Sequence, residues 1–195
     1  MTVHRILNDD SYYTFVIPTR EVLDKLGREH PFHIDRSPVP YSDVWKEPLF
    51  LDFGGEEGET KHEVVPDLAM RNGRLFFNEK AYALLGADLQ KDGEFLPVNY
   101  EGGTGYIFNP LTIAEKFWAV DDRITTYNEY GEVQNLGLFE EKLPAGTMVF
   151  RCEATKYAGV FCTDQMKEAV EDAGLVGIFF HPDLANIGGG ATSRH

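Results

Sequence analysis

The chain has 195 residues with 43% hydrophobic and 13% aromatic content, globular values that leave room for a sizeable core and exclude a disordered, low-complexity polypeptide. Its 32 acidic residues against 18 Lys and Arg give a formal net charge of −14, which excludes a generic nucleic-acid binder or an anionic-membrane binder, since both need clustered cations. Polar Asn8-Asp9-Asp10 stands where a secretory signal needs an apolar run, no stretch is long enough to span a bilayer, and Cys152 and Cys162 are the only cysteines. These features predict buried thiols and a cytoplasmic protein without disulfides.

In chain order, Tyr12 to Ile17 is aromatic and β-branched and predicts a strand ended by Pro18. Thr19 is placed to cap a short helix whose face is Val22, Leu23 and Leu26 and whose stop is Gly27. Four prolines between Pro31 and Pro48 predict an irregular passage, because each holds its predecessor extended. Leu49 to Phe53 reads as a strand, followed by an acidic Gly-rich loop from Gly54 to Thr60.

A strand–helix–strand unit then occurs twice, at about 74–97 and 159–182. At an offset of 85 positions Phe76 matches Phe161, Asn78 matches Thr163, Glu79 matches Asp164, Phe95 matches Phe180 and Pro97 matches Pro182. In each copy an apolar strand leads to an N-cap residue and an acid in the first helical turn, where the helix dipole favours negative charge. The predicted buried faces are Ala81, Leu84 and Leu85 in one helix and Met166, Ala169 and Val170 in the other, with Gly174 as the second helix's stop. Between the copies, Gly103-Thr104-Gly105 reads as a turn, Asn109-Pro110 as a helix start, and residues 127–138 as a hairpin around Tyr130-Gly131. The pattern around Ile113, Phe117 and Trp118 fits helix or strand. Residues 188–195 have nothing to bury and predict a disordered tail.

No arrangement points to catalysis. His30-Pro31-Phe32-His33 is the best local metal candidate, but its proline spoils helical ligand spacing. His181 reads as a structural or surface residue. Gly103-Thr104-Gly105 lacks the third glycine of a dinucleotide fingerprint and the Lys of a P-loop, and no Gly-x-Ser-x-Gly elbow occurs. We therefore expect a non-enzyme without metal or cofactor. The acids cluster at Asp52, Glu56, Glu57, Glu59 and Glu63, and again at Asp121, Asp122, Glu129, Glu132, Glu140 and Glu141. Such clusters are either ordinary solvated faces or a surface complementary to a basic partner.

Pro66-Asp67-Leu68, Gly73 to Ala81, Phe95 to Val98, Val149-Phe150-Arg151, Val160 to Asp164 and Gly177 to Phe180 together resemble immunity protein family eleven of bacterial polymorphic toxin systems, over roughly Pro66 to Pro182. That family more often has serine where this chain has Asn78 and Thr163, and the first 65 residues carry no matching motif. The resemblance implies a cytoplasmic antitoxin that binds and blocks a toxin delivered by a type VI or contact-dependent secretion apparatus. It brings no catalytic residues with it. Asp52, Glu56, Glu57, Glu59, Asp121, Asp122, Glu129 and Glu132 are the expected toxin-facing positions, suited to a basic active-site cleft. The alternatives are an enzyme that reverses toxin damage and a structural or adaptor protein of a phage or secretion particle. The expected fold is one α+β domain over 1–187, mostly antiparallel sheet with a few short helices, containing the duplicated unit.

Overall fold

Short apolar runs punctuated by glycine, proline and acidic turns fold as strands, and the computed structural model is an α+β chain built mostly of antiparallel sheet. It describes residues 2–54, 64–185 and 187. The strands are β1 (Val3–Asn8), β2 (Thr14–Val16), β3 (Leu49–Gly54), β4 (Leu68–Arg71), β5 (Arg74–Asn78), β6 (Gly93–Tyr100), β7 (Gly103–Pro110), β8 (Thr126–Tyr127), β9 (Val133–Asn135), β10 (Val149–Phe150), β11 (Phe161–Thr163) and β12 (Ile178–His181). The helices are α1 (Thr19–Lys25), α2 (Glu79–Leu89) and α3 (Asp164–Asp172). Six strands form one sheet in the order β2-β3-β6-β7-β5-β4, four form another in the order β10-β11-β1-β12, and β8 pairs β9 separately. Only the β3–β6 ladder among these is parallel.

The two strand–helix–strand units have the same topology. β5 and β6 run parallel with β7 inserted antiparallel between them, and β11 and β12 run parallel with β1 inserted in the same way. Their registers correspond too. Ile107 on β7 faces Phe76 and Leu96, while Arg5 on β1 faces Phe161 and His181, which lie 85 positions beyond Phe76 and Leu96. β4 flanks β5 as β10 flanks β11, with Ala69 opposite Phe76 and Phe150 opposite Phe161. The second unit is therefore completed by the chain's N-terminal strand.

Loops after the helices lock the units reciprocally. After α2, Asp92 accepts from the amides of Met148 and Val149 at 2.7 and 3.0 Å. After α3, the Val176 carbonyl accepts from the Leu68 amide at 3.0 Å and the Val176 amide donates to Asp67 at 3.1 Å. A shared core joins Leu75, Phe77 and Leu85 of the first unit to Val160, Cys162, Met166 and Val170 of the second. Because successive strand residues point to opposite faces, Phe76 and Phe161 turn away from it. Phe76 packs its ring against Phe15 of β2, Phe53 and Tyr100, in a core that Phe32, Tyr41 and Trp45 of the proline-rich passage complete. Phe161 stacks on Phe150 in a core completed by Ala114, Ala119, Val133, Leu136 and Leu143 of the segment between the units. The larger sheet also curls, bringing its edge strands β2 and β4 back against each other.

Several local expectations are corrected. Pro18 occupies the N-cap of α1 and Thr19 is already helical, so no side chain caps that helix. Asn78 does cap α2, its Oδ1 accepting from the Ala81 amide at 2.9 Å, but the Thr163 hydroxyl caps nothing and donates instead to the Thr147 carbonyl at 2.9 Å. Leu84 is 54% exposed; α2 buries Gly86 and Leu89 with Ala81 and Leu85, because it continues past Gly86. Gly103-Thr104-Gly105 is strand, and the turn lies at Glu101-Gly102, where Gly102 has φ +84°. Gly105 is required by close approach: a Cβ would stand 2.5 Å from the Phe77 carbonyl oxygen. Asn109-Pro110 ends β7 and starts no helix, since the buried Asn109 amide is held by the Val39 carbonyl and Glu94, both at 2.8–2.9 Å. The 188–195 tail and the Glu56 to Glu59 loop lie outside the described residues.

Candidate partner-binding surface

The segment between the units covers β10 and β11 with Ala114, Ala119, Val133, Leu136 and Leu143, packs Phe117 at their edge, and turns Trp118, Tyr127 and Tyr130 outward. It starts with a single 3-10 turn, Ala114–Phe117, which ends at Trp118 in the left-handed region with φ 53°. The Ala114 amide donates to the Arg151 carbonyl, the Phe139 amide to the Ala119 carbonyl and the Asp121 amide to the Gly137 carbonyl, at 2.8 to 3.0 Å. The β8–β9 hairpin then turns through Gly131 at φ 70°. Held by this frame, Trp118 is 79% exposed, Tyr130 76%, Ile124 60% and Tyr127 51%. Left-handed backbone costs a non-glycine residue about 1–2 kcal/mol, and the exposed Trp118 ring recovers little of that by packing within the chain.

The acidic positions separate into three groups. Asp122, Glu129 and Glu132 are exposed on the same segment as these rings, and Asp52 is exposed on β3. Asp121 is buried and engaged by its own chain: Arg123 donates to both carboxylate oxygens, at 2.8 and 2.7 Å. That contact holds the Asp121 carboxyl below the usual range and raises the Arg123 guanidinium. Glu56, Glu57 and Glu59 lie outside the described residues. Trp118, Tyr127 and Tyr130, which patterning alone did not single out, thus combine with acids in one segment; exposed Trp and Tyr in a turn-rich stretch are the composition of interface hot spots.

The buried polar groups organise a different region. Arg74 and Arg151 are 1% and 0% exposed, and burial lowers both guanidiniums to about 10. Arg74 donates to the Phe32 carbonyl at 2.8 Å and lies 3.8 Å above the Phe32 ring. Arg151 donates to the Arg36 carbonyl at 2.9 Å and to the Pro110 carbonyl. Together with Asn72 on the His33 carbonyl and Glu94 on the Tyr41 and Ser42 amides, they clamp the proline-rich passage to the sheet. The sequence does carry a signal for part of this: Asn72-Gly73, both with positive φ, is the two-residue turn of the β4–β5 hairpin and sets Arg71 opposite Arg74.

Burial raises the Cys152 and Cys162 thiols well above their ordinary value, which keeps them protonated and unreactive. Among the described residues, no three His, Cys, Asp or Glu side chains are grouped to hold a metal ion, and no helix is long and apolar enough to cross a membrane. Compared with models of known protein families and with curated proteins, the chain matches none of either.

Proposed function

We propose that this chain is a cytoplasmic immunity protein that binds a cognate antibacterial toxin and neutralises it by occupying a basic functional surface. The observation that carries this reading is the outward segment between the units, where Trp118, Ile124, Tyr127 and Tyr130 stand among Asp122, Glu129 and Glu132. Aromatic side chains supply most of the energy at protein interfaces, and surrounding acids steer a cationic partner and compete with its anionic substrate. The formal charge of −14 extends that attraction beyond the contact. The family resemblance over Pro66 to Pro182 supports the same function.

The test is co-expression with the product of the adjacent gene, reading host growth and the recovery of a complex. Rescue accompanied by a stable one-to-one complex supports inhibition by binding. Rescue with no complex at any salt concentration points to enzymatic reversal of damage, and failure of both sinks the proposal. Association should also slow steeply between low and physiological ionic strength, since screening shortens the reach of the acids.

A further inference from the structure

At one matched position the second unit departs from the first at a cost. Arg5 on β1 stands where the first unit has Ile107 on β7, each on the inserted middle strand and opposite the matched Phe161 or Phe76. Ile107 is fully buried, so an apolar side chain is what this position accommodates without penalty. Arg5 is half-buried, and burial lowers its guanidinium from the ordinary value. Its Nη1 donates to the Ile187 carbonyl at 2.8 Å and its Nε is buried without an acceptor. Its Nη2 has no acceptor among the described residues either but, unlike Nε, is open to solvent.

Arg5 lines a cavity of about 320 Å³ bounded by β1, β9 and the loop that leads into β11. Arg36 and Lys156 line it as well, and both are exposed. Among the described residues, no carboxylate lies within ion-pair distance of any of these three cations. The one acid in the lining, Glu132, accepts from the Asn128 side chain at 3.2 Å. The loop that carries Lys156 is strained, since Lys156 and Tyr157 are both left-handed, with φ 51° and 57°, a conformation unfavourable to side-chain-bearing residues. Three cations without a counter-charge around one hollow reverse the sign of a chain whose net charge is −14.

A dianionic phosphoryl group fits this set: the free edge of an arginine takes its oxygens as charge-assisted hydrogen bonds, and two further cations balance its second charge. A monocarboxylate would leave that balance incomplete. The cavity is larger than a phosphate ion, and Val133, Ala158 and Ile187 give it an apolar wall on which an organic group is removed from water.

We propose that this cavity is a binding site for a small organic phosphate, with Arg5 holding the phosphoryl group, Arg36 and Lys156 closing around it, and the Val133–Ile187 wall receiving the organic part. The titration that tests it contains no toxin, so its outcome is independent of the function proposed above.

The experiment is a calorimetric titration of the full chain with phenyl phosphate at low ionic strength, with the melting midpoint read alongside. Saturable one-site binding and a midpoint that climbs with ligand concentration are expected. Inorganic phosphate, which leaves the wall uncovered, and benzoate, which carries a single charge, should each bind at least about tenfold more weakly. Arg5→Ile restores the residue type of the first unit and should hold or raise the midpoint while removing saturable binding. Lys156→Gly should raise the midpoint by relief of left-handed strain and weaken binding a few-fold, the effect of losing one exposed charge. Absence of saturable binding by the unaltered, folded chain would overturn the proposal. So would undiminished binding in folded Arg5→Ile or Lys156→Gly, or benzoate or inorganic phosphate binding as tightly as phenyl phosphate.

Discussion

Trp118 is costly to its own fold, and in the function proposed here it is a contact for the partner. Its φ of 53° suits glycine, and its ring is 79% exposed. Trp118→Gly should therefore hold or raise the melting midpoint, by relief of about 1 kcal/mol of backbone strain. The same substitution should remove about 2 kcal/mol or more of toxin affinity, as loss of an aromatic hot spot does. Chemical denaturation and calorimetric titration of one variant check both halves. The two helix caps give a second contrast. Asn78→Ala removes a true cap and should cost about 1 kcal/mol. Thr163→Ser keeps the hydroxyl that reaches the Thr147 carbonyl and should be near neutral, whereas Thr163→Val leaves that carbonyl without its donor and should cost about 1–3 kcal/mol. Equal losses for Asn78→Ala and Thr163→Ser would contradict the different roles assigned to these matched positions.

Among the elements, the reciprocal loops carry the joint between the two units. Asp92 is 2% exposed and is the acceptor for two amides of the chain entering β10. Asp92→Ala should destabilise by about 2–4 kcal/mol, read from urea midpoints at unchanged slope. The strand and helix positions of both units were legible in the sequence because strand runs, cap residues and helical spacing agree there. Gly102 at its turn, and the shift of the strand start to Gly103, were not legible: a glycine required by close approach looks the same in sequence as one required by a turn. The insertion of β1 beside β11 and β12 was equally hidden, since pairing across more than 150 residues leaves no local pattern. Of the proposed surface, the acids were visible as composition. The exposed aromatics were not, because only the fold decides whether a Trp or Tyr faces core or solvent.

For the molecule as a whole, charge sets how stability depends on pH. The hydrogen bond from His4, joined by the Thr2 amide, holds the Asp164 carboxyl below its usual range. A carboxyl depressed in the folded state contributes stability that is fully present above its unfolded value, about 3.9, and is lost as pH falls through the folded value. Asp121 beside Arg123 acts in the same direction. Asp92 acts in the opposite one, because burial raises its carboxyl and its contribution declines as pH rises above the unfolded value. Asp164→Asn should therefore flatten the fall of stability between about pH 5 and pH 2, measured by denaturant midpoints at each pH. A curve as steep as that of the unaltered chain would show that the His4–Asp164 contact does not contribute to acid stability.

In the proposed function, the segment between the units binds the toxin through its exposed rings and acids. Its most direct measurement is calorimetric titration of the purified toxin into the unaltered chain and into a Trp118→Ala, Tyr127→Ala, Tyr130→Ala triple variant. One-to-one binding by the unaltered chain is expected, with a loss of at least about a hundredfold in the variant, the effect of removing clustered hot spots, at an unchanged melting midpoint. Undiminished affinity in the correctly folded variant would place the interface elsewhere and contradict a role for these rings.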